Sequence, residues 1–395
     1  MKNDFVDILP ELQAKGLDSH EAVATIQSVL SAGSSHKDNV GKRTYNLVNE
    51  NGIVGKAAYN KKNCLHKLLV LQHLQSKVLK DIASDLSSPE TRIARTVMLT
   101  YRKLDGAYTV SKWLQIRSVK TELHDLTRLN ALSSPYSSDI PFPFAIEVEY
   151  QWSNLPFLES HRRMTAVNKA RWLLATFIDI PVFSLSTPYA WAFIDYKYSL
   201  VECGIADGLD EASCTSFSDV TNIPKLTPVS IDQYYNSLGI GSNDFQVSDF
   251  AYLYSCFLAL KKLNQQKFLG CCASIFAATN PSINWPQKLV LLVSAIEHLI
   301  ENNDVCDKCQ SNIGVTKEFK AFMSKYVSPP PEVQAIYDAI YSNRSKITHG
   351  EWNPEVNEPF LSLHSIDEHN GLAAWAAAKK GAVNWLIAQN NQGSN

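Results

Sequence analysis

No apolar run in this chain of 395 residues approaches the roughly 20 residues that cross a bilayer as a helix, so a membrane-spanning protein is not expected. The start, Met1-Lys2-Asn3-Asp4-Phe5-Val6-Asp7, carries acids where an export signal would carry bases, and the expected location is cytoplasmic. Cysteine is thin. The eight residues (64, 203, 214, 256, 271, 272, 306 and 309) lack regular spacing and read as reduced thiols, not as a disulfide framework. Charged residues are 19% against 45% hydrophobic, a globular composition without a signature of disorder. No cofactor and no bound metal are expected.

The length suggests two or three domains. The formal charge of −2 hides an asymmetry. Residues 41–130 hold 16 Lys+Arg against 7 Asp+Glu, while 1–40 hold 3 against 6 and 131–395 hold 18 against 26. A basic segment on an otherwise acidic chain is the footprint of polyanion binding; the alternative is a solvated basic surface without a ligand.

The N-terminal third reads as helical. Stretches 4–15, 18–31 and 38–50 alternate with breaks at Gly16 and Gly33-Ser34-Ser35, and the third stops at Asn51-Gly52 before Ile53-Val54 resumes as a strand. Residues 60–87, with Leu65, Leu68, Leu69, Leu71, Leu74 and Val78, read as a long connecting helix. Ser88-Pro89-Glu90 has the form of a helix start, continuing through Val97, Leu99 and Tyr101 to Leu104. Thr109–Leu114 reads as a short second helix and Arg117–Leu132 as a third. Phe144, Ile146, Val148 and Tyr150 alternate strictly within 142–152, a strand. Two units of three helices and a strand resemble winged helix-turn-helix modules, the second more closely. That resemblance would send the third helix into a major groove, with Arg117, Ser118, Lys120, Thr121 and Arg128 as reading residues and DNA as a partner. The alternative is a helical module that only docks on the rest of the chain.

Residues 153–247 suggest a helix that breaks at Pro181, then an aromatic strand or buried helix over 189–201 and several loops; no chemistry is assigned to them. From Ser248 onward the sequence is a series of apolar helices: 249–264, 266–278 and 286–302. The last is apolar nearly all round between Leu289 and Ile300, as a buried helix is, and its ionisable residues there are Glu297 and His298. Pro329-Pro330-Pro331 opens another, whose stripe is Val333, Ile336, Ile340 and Ile347. Arg344 falls on that stripe, where a guanidinium is costly unless paired. It is either in a structural ion pair, with Glu297 as the candidate partner, or in a cleft that takes a phosphate. Glu297 is correspondingly a carboxylate at a polar seam or a member of the site. Cys306-Asp307-Lys308-Cys309 supplies two ligands where structural zinc needs four, and reads as a loop with two thiols.

The segment Arg344-Ser345-Lys346-Ile347-Thr348-His349-Gly350, with Tyr341 before it, resembles the HEPN ribonuclease family and its Apea-like branch. The members share Arg-x4–6-His, a Tyr three residues before the Arg and a Gly after the His; the resemblance covers roughly residues 248–390. It implies a bundle of four or five helices, closed by 371–389 and dimerised so that two motifs form one composite site. It also implies metal-independent RNA cleavage with Arg344 and His349 as catalytic residues, supported by Glu297 and Tyr341. Relatives of this kind act in prokaryotic anti-phage defence by abortive infection. Five residues along an ideal helix turn through about 140° away from the starting face, so the two side chains share a site only if the helix distorts near Thr348 or a second protomer completes it. The fold expected is therefore mainly α. Its parts are a winged-helix-like unit at 1–60, a connecting helix at 61–87 and a second unit at 88–152. An unassigned middle at 153–247 and a HEPN domain at 248–395 complete it. The alternative function is a non-catalytic DNA-binding regulator that uses the bundle to dimerise or to bind RNA.

Overall fold

The computed structural model describes residues 5–37, 42–50, 52–61, 64–76, 79–80, 90–119, 142–184, 189–194, 197–202, 214–238, 247–280, 283–300, 315–331, 334–351 and 366–392. The chain divides into two compact units. The smaller is Met1–Ala94 with Val148–Val167 and Ser213–Ser216; the larger is Arg95–Glu147 with Asn168–Ala212 and Phe217–Asn395.

In the smaller unit, β1 (Phe5–Asp7), α1 (Leu9–Ala14) and α2 (Ser19–Val29) precede β2 (Ser31–Lys37), β3 (Arg43–Asn49), β4 (Gly52–Tyr59) and β5 (Leu65–Leu71). The strands form one antiparallel sheet in the order β1-β5-β4-β3-β2. Asp18 caps α2 through the backbone N–H groups of His20 and Glu21, and Glu21 returns the bond to Asp18, a complete capping box. Leu12 and Ile26 from the helices meet Leu47, Ala57, Leu68 and Val70 from the sheet in one core. Arg162, on the helix α3 (Pro156–Phe177), donates to Glu21 at 2.7 Å.

This sheet corrects the first winged-helix reading and, over Leu65–Leu71, the connecting helix; residues 72–76 and 79–80 are helical, and 77–78 and 81–87 lie outside the described residues. Gly52 pairs with Asn49 and has a φ of 109°, so β3 and β4 form a hairpin where the end of a helix was expected. In β5 the apolar spacing of three between Leu65 and Leu68 imitates a helix. The ladder explains it: Tyr59 pairs with Leu65 and Ala58 with Lys67, so His66 is an extra residue. Such a bulge brings two positions three apart onto one face, and both leucines are buried.

The second sheet has β6 (Thr91–Thr100), β7 (Ala107–Val110), β8 (Leu114–Ser118), β9 (Phe142–Gln151) and β10 (Val182–Phe183), in the order β10-β6-β9-β8-β7. The division between the units runs through β6, β9 and α3. The strand read from Phe144 to Tyr150 is β9, but the first two helices expected before it are β6 and the β7–β8 hairpin; of the third, expected over 117–132, Arg117 and Ser118 end β8 and residues 120–132 lie outside the described residues. In β6, Thr91, Ile93, Thr96, Val97 and Thr100 are β-branched, and an inner strand buried on both sides loses the alternation that would have marked it. The expectation of a mainly α protein with two winged helix-turn-helix units is thus overturned by two five-stranded sheets and a two-stranded ribbon, β11 (Tyr189–Ile194) with β12 (Lys197–Glu202).

The remaining elements are helical: α4 (Ile231–Ser237), α5 (Phe250–Ala259), α6 (Lys262–Ala278), α7 (Trp285–Glu297), α8 (Val315–Phe322) running into a π-helical turn (Met323–Val327), α9 (Gln334–Thr348) and α10 (Ile366–Gln392). Helix α7 packs on α6, α9 and α10, and α10 also packs on α5 and the π turn. Phe177 of α3 meets Phe250 edge to face at 5.0 Å, and Phe268 of α6 stacks on Trp385 of α10 at 6.1 Å. Lys169 of α3 lies among the rings of Trp113, Tyr254 and Phe257, and burial lowers its pKa. Among the described residues, no helix is long and apolar enough to cross a membrane.

Candidate functional site in the C-terminal helices

Helix α9 carries the Arg-x4-His pair and ends cleanly. Gly350, with a φ of 72°, donates its N–H to the carbonyl of Ile347 at 3.1 Å, and Glu351 donates to Lys346 at 2.8 Å. These two bonds are a Schellman stop, which the left-handed glycine permits. Thr348 Oγ1 donates to the carbonyl of Arg344 at 2.8 Å, and the helix stays regular to its end. No distortion therefore brings Arg344 and His349 onto one face.

Arg344 faces α7. Its Nη2 donates to Oε2 of Glu297, the last residue of α7, at 2.9 Å; each side chain is 23% exposed. The guanidinium lies 5.9 Å from the ring of Tyr341 one turn earlier, and that ring packs on Phe319 of α8 at 4.8 Å. Ile340 on the same stripe is buried. The Nε–H of Arg344 is buried and, among the described residues, has no hydrogen-bond acceptor. His349 sits at the exposed end of the helix. The imidazole of His298 lies over Gly270 of α6, where an added Cβ would stand 3.0 Å from Nδ1.

The residues assigned to nucleic acid by the winged-helix reading are placed differently. Arg117 is on β8, not on a helix, and its Nε donates to Oε1 of Glu147 at 2.9 Å. Ser118 ends the same strand, and Lys120, Thr121 and Arg128 lie outside the described residues, as do Cys306 and Cys309. Among the described residues no group of three His, Cys, Asp or Glu could hold a metal ion.

Sequence reasoning missed three buried charged side chains, Glu147, Asp179 and Lys379. Glu147, fully buried on β9, accepts from Arg117 and from Gln115 at 3.3 Å, and its Oε1 lies 3.2 Å from Nε of Arg95 in an ion pair. Ser218 adds its backbone N–H at 2.7 Å and its hydroxyl at 2.5 Å. Burial by itself would raise the pKa of this carboxyl; the Ser218 bonds and the Arg117 guanidinium outweigh it and hold the group below its usual range. The available signal was a Glu in the middle of an apolar strand. Lys379 lies within α10 among alanines, and Asp179 lies just past the end of α3. The described cysteines are free, and burial pushes the Cys271 thiol well up and the Cys272 thiol to about 12, which makes both poor nucleophiles.

No family model, no curated protein and no solved structure matches this chain.

Proposed function

We propose that the C-terminal helices form a HEPN-like, metal-independent endoribonuclease whose catalytic residues are Arg344 and His349. The observation that carries this reading is the state of Arg344. It is partly exposed, it donates to Glu297, and its buried Nε–H lacks an acceptor among the described residues. A phosphate offers a planar guanidinium the second acceptor that this arrangement leaves out. In the reaction, a ribose 2′-hydroxyl attacks the adjacent phosphorus as the bond to the 5′-oxygen breaks. The products are a 2′,3′-cyclic phosphate and a free 5′-hydroxyl. His349 moves the proton, as base towards the 2′-oxygen or acid towards the leaving oxygen, and Arg344 meets the charge on the phosphoryl oxygens. Glu297 fixes the plane of the guanidinium. DNA lacks the 2′-hydroxyl and is not cleaved. The biological role proposed with it, anti-phage defence by abortive infection, rests on the family resemblance.

The test is incubation of the purified protein with total RNA in EDTA beside the Arg344→Ala/His349→Ala double variant. Wild type should fragment the RNA and leave cyclic phosphate ends, and the variant should not. Equal fragmentation by both would mean a contaminating nuclease and would remove the assignment.

A regular α9 leaves the two side chains about 140° apart, so a second protomer has to complete the site. Light scattering should therefore give at least twice the chain mass of 44.1 kDa. A monomer of that mass that still cleaves RNA would refute the shared site.

One observation favours a second reading. The ion pair between Arg344 and Glu297 could be purely structural, and the bundle would then bind RNA or dimerise without cleaving. Retention of RNA without fragmentation, equal in wild type and double variant, would support it.

A further inference from the structure

Lys379 is the most deeply placed cation among the described residues. It is fully buried within α10, and its Nζ donates to the carbonyl of Ile178, just past the end of α3 and 201 residues away in sequence. The ammonium stands 4.0 Å over the ring of Trp375, one turn earlier, and 5.9 Å from the ring of Tyr234 on α4. A single side chain thus joins α10 to the chain reversal after α3.

The titratable and charged groups about this point are Asp179, Tyr234, Cys272 and Arg102. Asp179 is buried beside Ile178, and Arg102 approaches it at 3.9 Å. Tyr234 is fully buried, donates its hydroxyl to the carbonyl of Thr176 and stays protonated, because burial and the neighbouring Tyr235, Asp179 and Cys272 all raise its pKa. The Cys272 thiol is likewise held protonated by burial. Beside the Ile178 carbonyl and the two rings, Asp179 is the countercharge among the described residues, and Arg102 shares that carboxylate. Burial pulls the Lys379 pKa from 10.5 down to about 7, with Asp179 opposing the shift.

We propose that Lys379 is a proton-operated latch, in which α10 docks most firmly on the Ile178–Asp179 turn when the side chain is a neutral amine and loosens when it takes up a proton. A neutral amine still donates to the Ile178 carbonyl and still packs on Trp375, while it no longer has to be desolvated as an ion. The sign follows from proton counting. Because the folded pKa is lowered, the unfolded chain binds more protons than the folded chain between about pH 7 and 10.5, and stability rises with pH across that window. It falls again as pH drops towards 7 and levels off below. One proton changes the unfolding equilibrium by at most about tenfold per pH unit.

The experiment is denaturant unfolding of the full chain between pH 6.5 and 9.5, comparing wild type with Lys379→Met. Methionine fills similar space without titrating, so wild type should gain on the variant by up to about tenfold in equilibrium constant per pH unit above 7. A difference that does not change with pH overturns the proposal. If Lys379→Met does not fold, Asp179→Asn gives the answer. Loss of the countercharge lowers the Lys379 pKa further, so the rise in stability should begin at lower pH than in wild type. An unmoved onset also overturns it. Neither outcome depends on RNA cleavage.

Discussion

Replacing Glu147 with Ala should destabilise the protein by about 3–5 kcal/mol, as expected when one partner of a buried ion pair is removed. The carboxylate is fully buried; it accepts the Nε–H of Arg117, the side-chain amide of Gln115 and two donors from Ser218, and it forms an ion pair with Arg95. Alanine would leave two guanidinium groups, 22% and 17% exposed, facing each other without their shared anion. Those partners come from β6, β8 and the Ser218 segment, so the loss would be felt on three parts of the larger unit. Glu147→Gln should cost less, since an amide oxygen still accepts, though its NH2 group meets donors. The measurement is the midpoint of urea unfolding; a shift within error for Glu147→Ala would show that the cluster is solvated. The site also has a pH signature. Its pKa is depressed, so its contribution is complete above the unfolded value of 4.5 and is lost as pH falls through the lower folded value.

The second large effect is a complementation. His349→Ala alone should lower RNA cleavage by about 10²–10⁴-fold, the usual worth of a positioned acid or base, and Arg344→Ala should be comparably damaging through lost charge stabilisation. Mixed in equal amounts and allowed to exchange subunits, the two inactive variants should regain cleavage. In a mixed dimer one protomer supplies an intact Arg344 and the other an intact His349, and the regular helix already assigns the two to different faces. Recovery to within about tenfold of wild type is expected, because half of the dimers at random pairing are mixed. If the mixture stays as inactive as its components, each site is made within one chain and the geometry of α9 has been misread.

Much of the C-terminal half was legible in the sequence because its signals are local. Asn284 before Trp285-Pro286 starts α7 by capping, and Gly350 ends α9 two residues after Thr348. The boundary between α5 and α6 was misplaced: Leu260 turns to an extended backbone, and Lys262 begins a new helix where continuous helix to Asn264 was expected. The stripe through Ile340 and Arg344 also foretold that this guanidinium would need a partner, with Glu297 the candidate.

By itself, the sequence determined most helices of the last third, though not α8 or the α5–α6 boundary; it also determined that β9 is a strand, that no long apolar run crosses a membrane as a helix, and that residues 41–130 are basic. It determined these because each depends on periodicity, capping or composition within a few turns of chain. Tertiary structure decided the N-terminal third, where local spacing was ambiguous. The Leu65–Leu68 spacing of three becomes a strand only through the register with β4, and β6 lost its alternation because both its faces are covered. Tertiary structure also decided the charges. Arg117 meets Glu147 from 30 residues away, Arg344 meets Glu297 from 47, and Lys379 meets Ile178 from 201. A buried ion is tolerable only where the fold brings it a partner, and that partner is chosen by pairing and packing over distances that no local pattern encodes.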